Sequence, residues 1–222
     1  MTNTIVELNL LRLREEIAHY NPRIIAVTKY FTADAIIDAY NAGLRDFGEA
    51  RANDAVLKIA SLPDEIIRES NFHFIGHLQS NKAKKVVKHF DYIQSVDSLH
   101  IAKIISEQAI EYGKVQNIFV QVNISKEPQK YGFLVEDLEK EMNELLKLKG
   151  INIVGLMCMA PINADKGTLN KVFSEAKSIK DKLNAKYSIH MTELSMGMSD
   201  DYKIALENGA TMIRIGRLLF NK

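Results

Sequence analysis

Short apolar runs alternate with amphipathic segments along almost the whole chain. Residues 1–20 are predicted to contain a lead helix, because Ile5, Leu8, Leu11 and Ala18 recur near helical spacing. After the breaker at 21–22, the run RIIAVTKY is short and rich in β-branched residues. Such a run predicts a buried strand.

The segment after this strand, TADAIIDAYNAG, predicts a helix that begins at Thr32 as N-cap and stops at Gly43. A strand followed by a helix then recurs until eight strands are reached. The later strands are predicted at 45–49, 72–77, 92–96, 117–124, 151–159, 188–196 and 211–220. The later helices are predicted at 53–62, 81–90, 98–113, 135–148, 168–184 and 200–209.

This alternation predicts parallel pairing, and eight units predict a closed (β/α)8 TIM barrel that forms one α/β domain over residues 1–222. An open, doubly wound sheet is the alternative. It is disfavoured because the chain has neither a G-x-G-x-x-G nor a G-x-x-x-x-G-K-[ST] sequence between a strand and a helix.

Composition narrows the classes of partner. With 29 basic and 28 acidic residues, the net charge of +1 gives no general attraction to nucleic acid or to an anionic membrane. The longest apolar stretch, VGLMCMAPI, is far shorter than the roughly 20 residues of a membrane helix, and the first residues lack a secretory signal pattern. The single cysteine, Cys158, cannot form an internal disulfide, so we expect a reducing cytoplasm.

Reactive groups of parallel barrels lie at the carboxyl ends of the strands. Lys29 stands out there because it ends an apolar run. Partial burial favours the neutral amine of a lysine, and the neutral amine is the nucleophile that forms a Schiff base with an aldehyde. A snorkelling or ion-paired lysine is the ordinary alternative. The predicted strand-end residues are Lys29, Glu49, His77, Ser95, Asn123, Met157, Ser195 and Arg214.

The loops after the last two strands, in ELSMGMSDD and RIGR, are the second signal. Barrels often bind phosphate at this place through backbone amides and a helix N-terminus. A capped helix and an ordinary tight turn would explain either loop alone. With the strand-one lysine, the two loops predict a pocket for a ligand that carries an aldehyde and a phosphate. The candidate residues are Ser195, Gly197, Ser199, Arg214, Gly216 and Arg217.

The combination of VTK, FHFIGHLQSNK, YIQSVDS, LSMGMSDD and RIGR resembles the pyridoxal phosphate homeostasis protein family, also described as YggS or PROSC-like proteins. The resemblance extends over essentially the whole chain. It implies a barrel like the N-terminal barrel of alanine racemase, with pyridoxal 5'-phosphate (PLP) held as an internal aldimine on Lys29. It also implies phosphate contacts from Ser195, Gly197 or Ser199 and from the backbone of Gly216.

The resemblance further implies that Arg214 lies near the ring or the phosphate of PLP. An arginine at the ring nitrogen weakens the ring as an electron sink, which suits a carrier better than an enzyme. The implied function is therefore PLP homeostasis, with delivery to apo PLP-dependent enzymes and no strong catalytic activity, by a monomer.

Two enzyme functions remain alternatives. A PLP-dependent racemase is disfavoured, because alanine racemase takes its second base from a separate β domain for which this chain has no residues left. A Schiff-base aldolase acting on a sugar phosphate would use a barrel lysine without a cofactor. Such lysines commonly lie further along the barrel than strand one.

Other residues receive ordinary interpretations. No metal site is predicted, because His73 and His77 on one strand would be about 13 Å apart. His77 either lines the pocket or is a structural histidine. Cys158 is predicted to be a buried thiol, and the lysine-rich segment 81–90 a solvated helix face. The chain departs from the family pattern after Phe-Gly-Glu, where Asn53 is the candidate for a replaced polar contact.

Overall fold

Eight parallel strands close into a barrel in the computed structural model, which describes residues 4–221. Each strand pairs with the next one along the chain, and the last pairs with the first. The predicted (β/α)8 barrel is therefore confirmed. Positions 1–3 of the predicted lead segment, and Lys222, lie outside the described residues.

The strands are β1 Arg23–Val27, β2 Asp46–Glu49, β3 Asn71–Phe74, β4 Tyr92–Val96, β5 Gln116–Gln121, β6 Ile151–Met157, β7 Glu193–Met198 and β8 Met212–Ile215. The helices are α1 Ile5–Ile17, α2 Ala33–Asn41, α3 Ala52–Ala60, α4 Asp64–Glu69, α5 Ala83–His89, α6 Leu99–Glu111, α7 Val135–Leu146, α8 Lys166–Tyr187, α9 Tyr202–Glu207 and α10 Arg217–Phe220. A 3-10 turn, Ser80–Lys82, precedes α5. Within residues 4–221, none of the helices combines the length and apolar composition that crossing a bilayer requires.

The lead helix begins with a capping box, in which Thr4 and Glu7 bond each other's backbone N–H groups. Further along the helix, Asn9 donates hydrogen bonds to the carbonyls of Leu219 and Asn221.

The apolar face of this helix predicted from the sequence was wrong, because Ile5, Leu8 and Leu11 are exposed. The buried face lies on nearly the opposite side of the helix and consists of Val6, Leu10, Leu13 and Ile17.

The end of the chain also differs from its prediction. The predicted strand 211–220 contains two elements, since β8 ends at Ile215 and the apolar residues after Gly216 form α10. Leu219 of this helix is buried against the barrel. The seventh strand lies later than predicted, at Glu193–Met198 rather than 188–196, because Ser188 ends α8 in a left-handed conformation.

The barrel interior is only partly apolar. A main core lies between the strands and the helices, and a separate small cluster unites one residue each from β1, β5, β6 and β8. That cluster is Ile25, Phe119, Met157 and Met212. Buried polar side chains accompany it, namely Asp46, His73, Gln94 and Ser195 from the other strands and Arg214 from β8.

Candidate functional site

Lys29 lies in a β-turn immediately after β1. The strand ends at Val27, earlier than predicted, and the N–H of Phe31 donates to the carbonyl of Thr28 at 2.9 Å. Lys29 is half-buried at the second position of this turn, with Nζ 4.9 Å from the centroid of the Tyr30 ring. Its amine is therefore presented at the carboxyl end of the barrel.

A buried ion pair fixes the backbone in front of Lys29. The hydroxyl of Thr28 donates to Oε1 of Glu49 at 2.7 Å, and Nζ of Lys58 donates to the Thr28 carbonyl at 2.8 Å. Lys58 also lies 2.7 Å from Oε1 of Glu49, and the two side chains are 12% and 1% exposed. The N–H group of Thr28 donates to the carbonyl of Gly48, so all three polar groups of this residue are hydrogen-bonded and the start of the turn is fixed.

The RIG segment lies beside this turn because β8 pairs with β1. A Cβ at Gly216 would meet the carbonyl oxygen of Val27 at 3.4 Å, which is ordinary van der Waals contact. Beyond it, the rings of Phe31 and Phe220 pack with centroids 4.7 Å apart. Lys29 and Gly216 therefore belong to neighbouring loops of the barrel mouth.

Gly197 in the SMGMS segment is required by the protein's own packing. Its φ is +91°, and a Cβ there would lie 2.6 Å from the Cβ of Ala205 in α9. Ser199 is half-buried in the turn that follows β7. Asp201 orders this turn by accepting the N–H of Met198 at 2.5 Å, and burial raises the pKa of its carboxyl group.

An ion pair between Arg217 and Asp200 joins the loops after β7 and β8. Both side chains are mostly exposed, at 68% and 77%. The positive charge predicted for this loop is therefore present, but the carboxylate of Asp200 partly neutralises it. The pair links the two loops that were predicted to bind phosphate.

Arg214 points into the barrel, where it is 4% exposed. Its Nη1 donates to both the carbonyl and the hydroxyl of Ser195 at 2.8 Å, and its Nη2 donates to the carbonyl of Cys158 at 3.0 Å. Burial lowers the pKa of this guanidinium group. Burial also raises the pKa of the Cys158 thiol to about 12, in agreement with its interpretation as an inert buried cysteine.

A hydrogen-bonded chain continues from Ser195 across the barrel. The Ser195 hydroxyl lies 2.7 Å from Oε1 of Gln94, whose Nε2 lies 3.0 Å from Nδ1 of His73. Nε2 of His73 lies 2.8 Å from Oδ1 of Asp46, and its ring stacks on Tyr92. Burial lowers the pKa of His73, which favours the neutral ring.

His77 lies on another sector of the mouth. It was predicted at the end of the third strand, but β3 ends at Phe74 and His77 belongs to the loop beyond. Its Nδ1 lies 3.0 Å from Oδ2 of Asp97, and its ring stacks on Tyr131 with centroids 3.7 Å apart. These contacts connect the loops that follow β3, β4 and β5.

Two further candidates have structural partners. Oδ1 of Asn53 accepts a hydrogen bond from Lys85 of α5 at 2.8 Å. Nδ2 of Asn123 donates to the carbonyls of Glu127 and Lys130, and so holds the loop after β5.

The structure therefore places Lys29, Ser199, Arg214 and Gly216 on one side of the barrel. They lie on, or in the loops directly after, the neighbouring strands β7, β8 and β1. Sequence reasoning missed Lys58, Gln94 and Asp46. The polar Gln94 within the otherwise apolar run YIQSV was a usable signal for an inward-facing partner. Lys58 gave no such signal, because a lysine in an amphipathic helix is normally solvated.

Comparison with known proteins identifies the family. The family profile of the alanine racemase N-terminal domain matches residues 5–221. The pyridoxal phosphate homeostasis protein of Synechocystis is 42% identical over 198 residues, which cover 89% of this chain and 90% of that protein. The chain belongs to the pyridoxal phosphate homeostasis protein family. The member from Escherichia coli K12 is 32% identical, over 96% of this chain and 94% of its own.

Solved structures agree with this membership. PipY of Synechococcus elongatus with PLP bound superposes with a TM-score of 0.89 at 36% identity, covering 97% of this chain and all of that one. Alanine racemase from Clostridium difficile superposes with a TM-score of 0.79 at 16% identity, over 98% of this chain but 56% of the racemase. The second likeness concerns the fold alone.

Proposed function

We propose that this protein binds PLP, holds it as a Schiff base on Lys29, and serves PLP homeostasis rather than catalysis. The observation that carries the proposal is the half-buried Lys29, in a turn fixed through Thr28 and placed beside Gly216. When bound, PLP supplies an aldehyde that condenses with the lysine amine with release of one water. The structure of the relative PipY with PLP bound supports the choice of ligand.

The loops around Lys29 fit a phosphate group. Nothing in the contacts of Gly216 requires a glycine, since a Cβ there would make only ordinary contacts with Val27. Its missing side chain instead allows a ligand to approach the backbone. Ser199 offers a hydroxyl on the neighbouring loop, where it is half-buried. We assign phosphate binding to Ser199 and Gly216, with Arg217 adding positive charge.

Arg214 fits a role near the pyridine ring. A guanidinium group has donors only, so beside a ring nitrogen it keeps that nitrogen unprotonated. Such a ring stabilises carbanions poorly, which favours a carrier over a racemase. The hydroxyl of Ser195 bonds Arg214 and Gln94, so we assign Ser195 to holding Arg214. His77 lines the mouth from the side of β3.

Borohydride trapping tests the assignment of Lys29. The purified protein is incubated with PLP, the C=N bond is reduced, and the intact mass of wild type is compared with that of Lys29→Ala. Lys114→Ala is the matched control, because Lys114 is a partly buried lysine that bonds the carbonyls of Val87 and Phe90 elsewhere. We expect one adduct on wild type and on the control, and none on Lys29→Ala. An equal adduct on Lys29→Ala rejects the assignment.

The same preparation separates the alternatives. Exchange of amino-acid α-protons at enzyme-like rates by the PLP-loaded protein would favour a racemase. A colourless protein that is trapped only with a sugar phosphate would favour an aldolase.

Transfer of PLP to an apo-enzyme faster than its release into buffer would support delivery. Size-exclusion chromatography tests the expected monomer.

A further inference from the structure

We propose that Gln94 and Ser195 are positioning residues for Arg214. They belong to a hydrogen-bonded chain that runs from Arg214 to Asp46. The inference rests on the proposed function, because it concerns how Arg214 is presented to PLP. It adds residues from β2, β3 and β4 to a site otherwise formed by β7, β8 and β1.

The two ends of the chain set the direction of its hydrogen bonds, because the guanidinium group of Arg214 only donates and the carboxylate of Asp46 only accepts. The Ser195 hydroxyl accepts from Arg214 and donates its own proton to Oε1 of Gln94. This fixes the orientation of the Gln94 amide, whose Nε2 must then donate to His73.

The remaining links follow in the same sense. Nδ1 of His73 accepts from Gln94, so the ring carries its proton on Nε2 and donates it to Asp46. The chain thus runs in one direction, from a cation on β8 to a carboxylate on β2. A flip of the Gln94 amide would set its oxygen against the unprotonated Nδ1 of His73, which are two acceptors. A change of tautomer would instead set the Gln94 amide against an Nδ1–H group, which are two donors.

Burial makes it costly to break or reverse any hydrogen bond of this chain. Gln94, His73 and Ser195 are each 0% exposed, so water does not replace a lost partner. Nε2 of Gln94 also lies 4.0 Å from the sulfur of Met212, in the apolar cluster of the interior. The amide is therefore held among packed side chains.

The partners of Arg214 suggest what the chain is for. They are two backbone carbonyls and one hydroxyl, which orient the guanidinium group without neutralising its charge. A purely structural arginine would be better stabilised by a bonded carboxylate. Here the hydrogen-bond partners of Arg214 are all uncharged, and the nearby carboxylate of Asp201 acts on the guanidinium group only through space. The N–H groups of Arg214 therefore keep a positive charge that a ligand can use.

The test combines PLP affinity, the absorbance band of the bound cofactor and the thermal midpoint. Gln94→Met keeps the volume of the side chain but breaks both links, and Ser195→Ala removes only the hydroxyl. We expect each variant to bind PLP about ten-fold more weakly, as for the loss of a hydrogen bond to a charged group, and to shift the absorbance band. Ser195→Ala decides alone if Gln94→Met does not fold.

Gln116→Met is the matched control. Gln116 is also 0% exposed, and its amide donates to the carbonyls of Asp91 and Asn117 at the amino end of β5. We expect this control to lower the thermal midpoint while it keeps the wild-type affinity and band. Wild-type affinity and band in both Gln94→Met and Ser195→Ala would overturn the inference alone. A wild-type protein that takes up no PLP would overturn the proposed function with it.

Discussion

Nζ of Lys58 lies 2.7 Å from Oε1 of Glu49, and both side chains also bond Thr28, the residue before Lys29. Taking two charges out of water is costly unless their other hydrogen-bonding groups are satisfied. Thr28 meets that need with its hydroxyl and its carbonyl. The ion pair thereby ties β2 and α3 to the turn that carries Lys29.

Breaking this pair should destabilise the protein strongly. Lys58→Met leaves the carboxylate of Glu49 buried without its cation, and we expect a loss of about 3 kcal/mol in the free energy of unfolding. The double variant Glu49→Gln/Lys58→Met should recover part of the loss, as measured by urea unfolding. Lys84→Met, which breaks an exposed pair with Glu111, is the control and should cost less than about 1 kcal/mol. Equal costs at both sites would contradict this account.

The two glycines of the candidate phosphate loops should respond in opposite ways. Gly197→Ala should lower the free energy of unfolding by at least about 2 kcal/mol, because φ is +91° and the new methyl meets Ala205 at 2.6 Å. Gly216→Ala should cost less than about 1 kcal/mol and should weaken PLP binding instead. Chemical denaturation and PLP titration of both variants separate the two effects. A marked loss of stability in Gly216→Ala would show that the protein itself requires that glycine.

Acid should weaken the fold through His73. Burial lowers the pKa of this histidine from its ordinary 6.5. Below about pH 6.5 the unfolded chain therefore binds a proton there that the folded chain does not, and stability falls. Between pH 7.5 and 5.5, this loss reaches at most about 1.4 kcal/mol. His73→Asn should flatten the dependence in urea unfolding, and His190→Asn, at an exposed histidine, controls for the exchange itself. Equal slopes in wild type and His73→Asn would contradict the prediction.

Cys158 should react only when the barrel opens. Burial raises the pKa of its thiol to about 12, so very little thiolate exists at pH 8. We expect a disulfide reagent to modify the native protein at least about a hundred-fold more slowly than the urea-unfolded chain. The chain has a single cysteine, so the signal has one source, and Cys158→Ala supplies the blank. Similar rates in both states would contradict the buried position.

The sequence was sufficient for the barrel because its periodicity changes regularly between strands and helices. It failed where two apolar faces competed, as in α1, where Leu8 and Leu10 could each mark a helical stripe. It failed also at RLLF, because a run of three apolar residues after Arg217 fits either a strand or a helix. The segment forms α10, where the carbonyl of Leu219 accepts a hydrogen bond from Asn9 of α1.

The candidate site was predictable only in part. Lys29, Ser199, Arg214 and Gly216 belong to local patterns at strand ends. Lys58 became part of the site because α3 passes over the start of the turn after β1, which is a relationship between distant segments. The chain from Asp46 to Ser195 likewise depends on strand register, which the local pattern does not contain.

Closure of the sheet has a consequence for recognition by other proteins. Because β8 pairs with β1, each of the eight strands has a neighbouring strand on both sides. Within residues 4–221 the sheet therefore has no free edge to which another protein could add a strand. If the protein delivers PLP as proposed, the receiving protein would instead contact the loops at the carboxyl end of the barrel. Tyr30 and Ile162 of these loops are 74% and 87% exposed. Such loop side chains can vary without disturbing the strands of the barrel, so selectivity for a partner would depend on them.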